Sequence, residues 1–374
     1  MRPLFPIFAI AVHRVPCVYP PSLWRAVNLL RSHSPCLILG YLLGIEPVKR
    51  IVLSLFLPWS FDPVPFVQTT ILALVCLGVI GCAGLRHPQP QTASVEGLAE
   101  RFRPGQIVDL ASGTVIDFED LIAHLSSKDL IFVGEAHDNA DHHLIQIQIL
   151  QALAGRPSSL TLGMEYFQQQ HQPILDRYIQ GDSTEKEFLE AVDWKKNWVF
   201  DYRLYRPLMQ FARERKYRVL AINAPNPLVR KVARTGLKSL EPSEREQIPK
   251  DIDLTQDRHR AFLRGIYSEH APGDLKDFEY FYEAQCVWEE TMASHLAEHL
   301  ASGKGKVIAF TGNGHIVNKF GVPDRTVRRV PVSMATVMPY PLNGQETIDR
   351  ASADYVWFTL PSPQRFSMGK GGFW

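Results

Sequence analysis

The chain has 374 residues, 45% of them hydrophobic and 21% charged, with a formal net charge of +1. That is ordinary globular composition with room for a sizeable core, and the balanced charge argues against nucleic acid as a partner. Five cysteines, four of them (Cys17, Cys36, Cys76, Cys82) in the first quarter and only Cys286 beyond it, exclude a disulfide framework and a Cys-based zinc site.

Residues 1–63 are rich in proline and bulky apolar residues without helical or strand periodicity. They are read as an N-terminal extension, explained by a start assigned too early, with Lys49 and Arg50 as the charged region of a signal. Residues 64–82, "VPFVQTTILALVCLGVIGC", carry no charge and are long enough to span a bilayer if helical. The stretch ends in Val79-Ile80-Gly81-Cys82, which resembles a bacterial lipobox, so Cys82 is the expected lipidation site and a plain transmembrane anchor the alternative. Residues 83–99 read as a flexible tether. The expected location is the extracytoplasmic side of a membrane, in the periplasm or at the outer membrane.

From residue 100 onward, strand and helix patterns alternate. "GQIVDLASGTVIDF" predicts a hairpin turning at Ser112-Gly113, followed by the short helix "FEDLIAHLSS". "DLIFVGE" predicts a strand buried on both faces, then comes the helix "DHHLIQIQILQALAG" closed by Gly155, then the strand "SLTLGMEYF". Helical segments over 168–192 and "YRLYRPLMQFARERK" precede the strand "YRVLAIN" and the helix "NPLVRKVART". A long helical region over 255–302 leads to the strands "KVIAFTGNGH", "VPVSMATVMP" and "DYVWFTL". This alternation predicts an α/β domain over 100–374. Its expected form is a mostly parallel central sheet with helices on both faces and a helical insertion.

Four predicted strands end in polar residues: Gly134-Glu135-Ala136-His137, Met164-Glu165, Asn223, and Gly312-Asn313-Gly314-His315. In open parallel sheets the ligand crevice lies outside the carboxyl ends of the strands. Glu135, His137, Glu165 and His315 are therefore the expected site, with Gly134, Gly312 and Gly314 allowing close backbone approach. Each residue alone could merely cap a helix, and Asp138 or Asn139 is expected to do so. His142 and His143 are read as surface residues of a first helical turn. "HLAEH", His295 to His299, matches a zinc-protease spacing but falls at the end of a helix read as polar, so it is taken as a solvated helix terminus.

"LIFVGEAHDNADHHLIQIQIL", "LGMEYFQQQHQPILDRYIQG", "FLEAVDWKKNWVFDYRLYRPLMQFARE", "VLAINAPNPLVRKVARTGL", "YEAQCVWEETMA" and "FTGNGHIVNKFGVPDRTVRR" together resemble the ChaN family of haem-binding lipoproteins over residues 105–330. The family shares a superfamily with the Tiki metalloproteases and the erythromycin esterases. The resemblance implies a parallel α/β fold, a lipid anchor, haem as ligand with a tyrosine on the iron, and a role in haem or iron uptake. A second copy of the chain, as a homodimer, is a further partner to test. The Tiki side implies a metal-dependent hydrolase, the alternative function, with Glu135, His137, Glu165 and His315 as its catalytic set. Its divalent metal would sit on His137, Glu165 and His315. For haem, Tyr202 and Tyr205 stand in an aromatic stretch with Trp194, Trp198 and Phe200, with Arg203 and Arg206 placed to meet propionates. Tyr166, next to Glu165, is the other tyrosine to consider.

Overall fold

The computed structural model describes residues 91–361 apart from 157–158, 271–274, 276 and 344. The extension 1–63, the hydrophobic segment 64–82 with Cys82, and the first part of the tether lie outside the described residues. In chain order the strands are β1 (Thr92–Val95), β2 (Arg101–Phe102), β3 (Ile107–Asp109), β4 (Thr114–Ile116), β5 (Leu130–Val133), β6 (Leu160–Gln168), β7 (Arg218–Asn223), β8 (Lys306–Phe310), β9 (Met334–Pro341), β10 (Gln345–Ile348) and β11 (Tyr355–Thr359). The α-helices are α1 (Phe118–Ser126), α2 (Ala140–Ala154), α3 (Gln172–Gln180), α4 (Glu185–Ala191), α5 (Trp194–Asn197), α6 (Tyr202–Arg215), α7 (Asn226–Thr235), α8 (Pro242–Arg245), α9 (Asp257–His270), α10 (Phe278–Ala301) and α11 (Val322–Arg329).

Eight strands form the main sheet in the order β4-β3-β11-β9-β5-β8-β6-β7. From β11 to β7 every neighbour is parallel, whereas β3 pairs antiparallel with both β11 and β4. The sheet is therefore mixed, which corrects the expectation of a mostly parallel one. For the β3–β4 pair the reason is local: Gly113, at φ +78°, turns the chain straight back after β3, and such a hairpin makes its two strands antiparallel. A second sheet, β10-β1-β2, takes Thr92–Val95 out of the stretch read as tether.

The sheet divides the core in two. Ile131 and Val133 point to one face, where they join Leu162, Met164 and Phe310 under α1, α2, α3 and α6. Leu130 and Phe132, the alternate residues of β5, join Ile222, Val307 and Ala309 on the other face, against α7 and α10. This is the period of two expected of a strand, and both faces of β5 are covered, so the whole strand is apolar. Each such side chain contributes about 1.5–3 kcal/mol on burial. The four helices between β7 and β8 are the helical insertion. One of them, α10, is not the polar helix expected: Ala284 and every residue from Cys286 to Ala293 are buried. Among the described residues no helix is long and apolar enough to cross a membrane.

Candidate functional site

The topology makes β5, β8, β6 and β7 consecutive neighbours in the sheet, so all four polar strand ends open on one edge. Asn313 N–H donates to the Glu135 carbonyl (2.8 Å), tying the turn after β8 to the turn after β5. A side chain at Gly134 would overlap Asn313, so glycine is required where these two turns cross.

Alternation along β6 then splits the site in two, because Glu165 and Tyr166 point to opposite faces of the sheet. On the α2 and α6 face the centre is Glu135, which is 1% exposed. Its Oε1 lies 2.6 Å from His137 Nδ1, and its Oε2 accepts from the Tyr166 hydroxyl (2.6 Å) and from Gln146 Nε2 (2.8 Å). The Tyr205 hydroxyl donates to the His137 carbonyl (3.1 Å) and more weakly to Glu135 Oε1 (3.4 Å). Burial opposes ionisation of Glu135, but the neighbouring His143 and His137 rings and the Tyr166 hydroxyl outweigh it and hold its pKa at about 2. The His137 side chain keeps 22% exposure and packs against Trp198 and Phe200, with ring centroids 5.0 and 4.8 Å away. Burial pulls its pKa down, while the bond to Glu135 and the charge of Glu165 prevail and raise it.

On the α10 face His315 lies between two carboxylates, its Nε2 3.4 Å from Glu165 Oε1 and its Nδ1 3.4 Å from Glu289 Oε1. Burial disfavours the imidazolium, yet the two carboxylates raise its pKa to about 10, so His315 is a fixed cation at neutral pH. Behind it, Glu289 Oε2 lies 3.5 Å from His259 Nε2 and 3.4 Å from Arg325 Nε. Arg325, wholly buried, also pairs with Glu290, which Arg328 and Arg329 reach from the surface. The two halves meet at Gly312. Its N–H donates to Glu165 Oε2 (2.6 Å), and a Cβ there would lie 2.9 Å from His137 Cε1 and Nε2. Asn223 supports this edge by donating to the Glu165 carbonyl (2.7 Å) and accepting from Trp288 Nε1.

Several expectations need correction. Among the described residues no group of three His, Cys, Asp or Glu is placed to hold a metal ion, so the expected ligand set of His137, Glu165 and His315 finds no support there. Both ring nitrogens of His315 face carboxylates, and one of His137 is bonded to Glu135. His142 and His143 are buried rather than on the surface. His142 Nδ1 accepts from Ala136 N–H (2.7 Å), which fixes the turn, and burial lowers its pKa to about 3. The helix cap is Asn139, accepting from Asp141 and His142 N–H. His299 of the "HLAEH" run is buried, not a solvated terminus.

The tyrosines separate by environment. Tyr205 is wholly buried with its hydroxyl turned toward Glu135, and Tyr166 is bonded to the same carboxylate. Tyr202 instead borders an open cleft of about 880 Å³ shared with Trp194, Trp198, Phe200 and the exposed Val199. The Tyr202 hydroxyl itself is buried, close to the hydroxyl of Tyr178 in the core. Arg203 and Arg206 are already engaged, with Asp201 (2.5 Å) and Glu185 (2.8 Å); the exposed Lys186, which lies 3.9 Å from Glu190, and Lys195 are on the cleft rim, together with Glu185, Glu190, Asp193 and Asp201. The sequence reading missed Gln146, Glu289, His259 and Arg325. The one signal available was Glu289-Glu290 set between Cys286-Val287-Trp288 and Met292-Ala293, since buried carboxylates demand partners.

An α/β domain with a carboxylate–histidine pair on either face of one sheet edge, beside an aromatic cleft, is the class that fold and site define. A family model described as haem-binding uptake, Tiki superfamily, ChaN matches residues 121–326, more than half of the chain, and the chain belongs to this family. Its fold is similar to that of ChaN of Campylobacter jejuni, a structure showing cofacial haem binding, with TM-score 0.55 and 22% identity over 67% of this chain and 95% of that one. An erythromycin esterase is more distant, with TM-score 0.38 and 14% identity over 64% and 77% of the two chains. Protein RETICULATA-RELATED 5, chloroplastic, of Arabidopsis thaliana is 22% identical over 261 residues, 63% of this chain. The match covers 34% of that protein, so the chain spans about a third of its length.

Proposed function

We propose that the protein binds haem in the cleft beside α5, with Tyr202 as the axial ligand and Lys186 and Lys195 meeting the propionates. The observation that carries this reading is the cleft of about 880 Å³ walled by Trp194, Trp198, Phe200 and Tyr202, in a chain of a haem-binding family. The residues fit the group. Trp194, Trp198 and Phe200 offer apolar surface to a porphyrin face, and a phenol oxygen suits ferric iron. Burial raises the Tyr202 pKa, so the proton leaves only when a cation takes its place. The bonds of Tyr166 and Tyr205 to Glu135 favour Tyr202 over them as the ligand. The role is haem or iron handling at a membrane, with the chain anchored through Cys82 on the extracytoplasmic side. The test is titration of ferric haem into the full chain followed by its visible spectrum. Tyr202→Phe should alter the spectrum, and Tyr205→Phe should leave it as in the wild type; the reverse pattern refutes the assignment.

A second reading is favoured by one observation: His137, bonded to an ionised carboxylate, reaches the aromatic wall of the cleft. Such a pair can exchange a proton with a bound substrate or water, which supports a hydrolase built on Glu135 and His137 with Glu165 and His315 beside them. Ester hydrolysis by the wild type, abolished in His137→Ala, would support it.

A further inference from the structure

The end of α10 and the start of β7 enclose a second polar cavity, which shares no residue with the site or the cleft above. It holds about 280 Å³, and its lining includes Gln172, Arg218, His295, Glu298, His299 and Lys304. It lies along β7, the last strand of the main sheet. Part of the lining has a structural task. An edge strand leaves backbone groups open, and side chains cover them here. Gln172 donates to the Val219 carbonyl (2.8 Å) and accepts from Ala221 N–H (2.8 Å), while His295 Nδ1 donates to the Ala221 carbonyl (3.2 Å).

That task leaves three groups unexplained. His299 is 8% exposed, and its Nε2 is buried with no hydrogen-bond partner among the described residues. Buried polar atoms are as a rule paired, so this one calls for a partner that enters the cavity. Arg218 and Lys304 are exposed, and neither joins an ion pair among the described residues. Both face His299: burial first, then the charge of Arg218 and that of Lys304, hold its pKa below the ordinary value. The turn that presents Lys304 is fixed. Gly305 stands at φ +104°, a Cβ there would overlap Ser159, and the Ser159 carbonyl accepts from Lys306 N–H (3.0 Å).

The charges decide what the cavity takes. Two imidazoles four residues apart on a helix suit a metal ion, but the cations that depress the His299 pKa would repel one and attract an anion. The carbonyl end of α10, which disfavours anions, is already covered. The His299 carbonyl accepts from Ser302 N–H (3.1 Å) and Oγ (2.6 Å), and the Leu300 carbonyl from Gly303 N–H (3.0 Å). Glu298 brings a carboxylate to the lining, exposed to solvent and bonded to Ser294 Oγ (3.1 Å). We propose that this cavity binds a phosphate group, free or as a small monoester, with Arg218 and Lys304 neutralising it and His299 Nε2–H donating to one of its oxygens. A guanidinium fork and an ammonium are the usual partners of phosphate oxygens.

The test uses the full chain with labelled histidine, and follows the His299 ring resonances by NMR at constant ionic strength, assigned through His299→Gln. Sodium phosphate, glycerol phosphate, sodium chloride and zinc chloride are titrated separately. Phosphate or its ester should move the His299 resonances to saturation and chloride should not; the tighter of the two tells free from esterified phosphate. Arg218→Gln and Lys304→Gln, both on the surface, should each weaken binding roughly tenfold. Glu298→Gln removes the repelling carboxylate and should tighten it. A His299 response to phosphate and ester no larger than that to chloride overturns the proposal, as does unchanged affinity in both cation variants. A response to zinc at concentrations below those at which either phosphate acts overturns it in favour of a metal site. Should the cation variants lose their fold, saturation of the wild type together with the Glu298→Gln affinity decides.

Discussion

The titration of His315 gives the most direct check on the geometry of the α10 face. Below its ordinary pKa of 6.5 the imidazole is protonated in the folded and the unfolded chain alike, and the full attraction of Glu165 and Glu289 stabilises the fold. Above 6.5 the unfolded chain releases the proton while the folded one retains it, up to a pKa of about 10. Stability must therefore fall across that window, by up to about 1.4 kcal/mol per pH unit and about 5 kcal/mol in all, a contribution shared with the two carboxylates and not additional to theirs. Urea unfolding midpoints measured through this pH range should decline steadily. Glu289→Gln preserves shape but removes one of the two carboxylates, so the His315 pKa should fall and the decline should end at lower pH. The ring resonance of His315 followed by NMR reports the same event at the residue itself. A midpoint that stays flat between pH 6.5 and 9, or a His315 resonance titrating at the ordinary value, would show that the double carboxylate contact is wrong.

Gly312→Ala places a methyl 2.9 Å from the His137 ring, which its bond to Glu135 and the packing of Trp198 hold in place. The expected cost is roughly 1–3 kcal/mol in urea unfolding with a displaced His137 resonance, and an unaltered midpoint would mean the ring moves freely. Arg325→Met leaves Glu289 and Glu290 without their buried cation, so unfolding free energy should drop by about 3–5 kcal/mol; a loss below roughly 1 kcal/mol would show that the network is not electrostatically coupled. For the anchor, mass spectrometry of the wild-type amino-terminal peptide should find a lipid on Cys82, and Cys82→Ala should retain an uncleaved signal. An unmodified peptide spanning Gly81-Cys82 as the major species would remove the lipid anchor from the account.

The sequence by itself determined the elements and their chemistry. The apolar run Leu130–Val133, bounded by Asp129 and Gly134, reads as a strand covered on both faces, and Gly113 after a short alternating run reads as a tight turn. It also placed Glu135, His137, Glu165 and His315 at strand ends, because a run of buried residues stops where polar groups must find partners. What it left undecided was adjacency. That β8 inserts between β5 and β6, setting Gly312 against both His137 and Glu165, depends on strands separated by well over a hundred residues, and no local pattern encodes that order. The fate of each tyrosine was equally tertiary. Tyr202 and Tyr205 sit three positions apart on one helix, yet one borders the cleft and the other faces Glu135, a carboxylate seventy residues earlier in the chain. The charge on His315 likewise comes from Glu289, supplied by a helix that looked polar in the sequence and is buried in the fold, and only that burial makes the pairing strong.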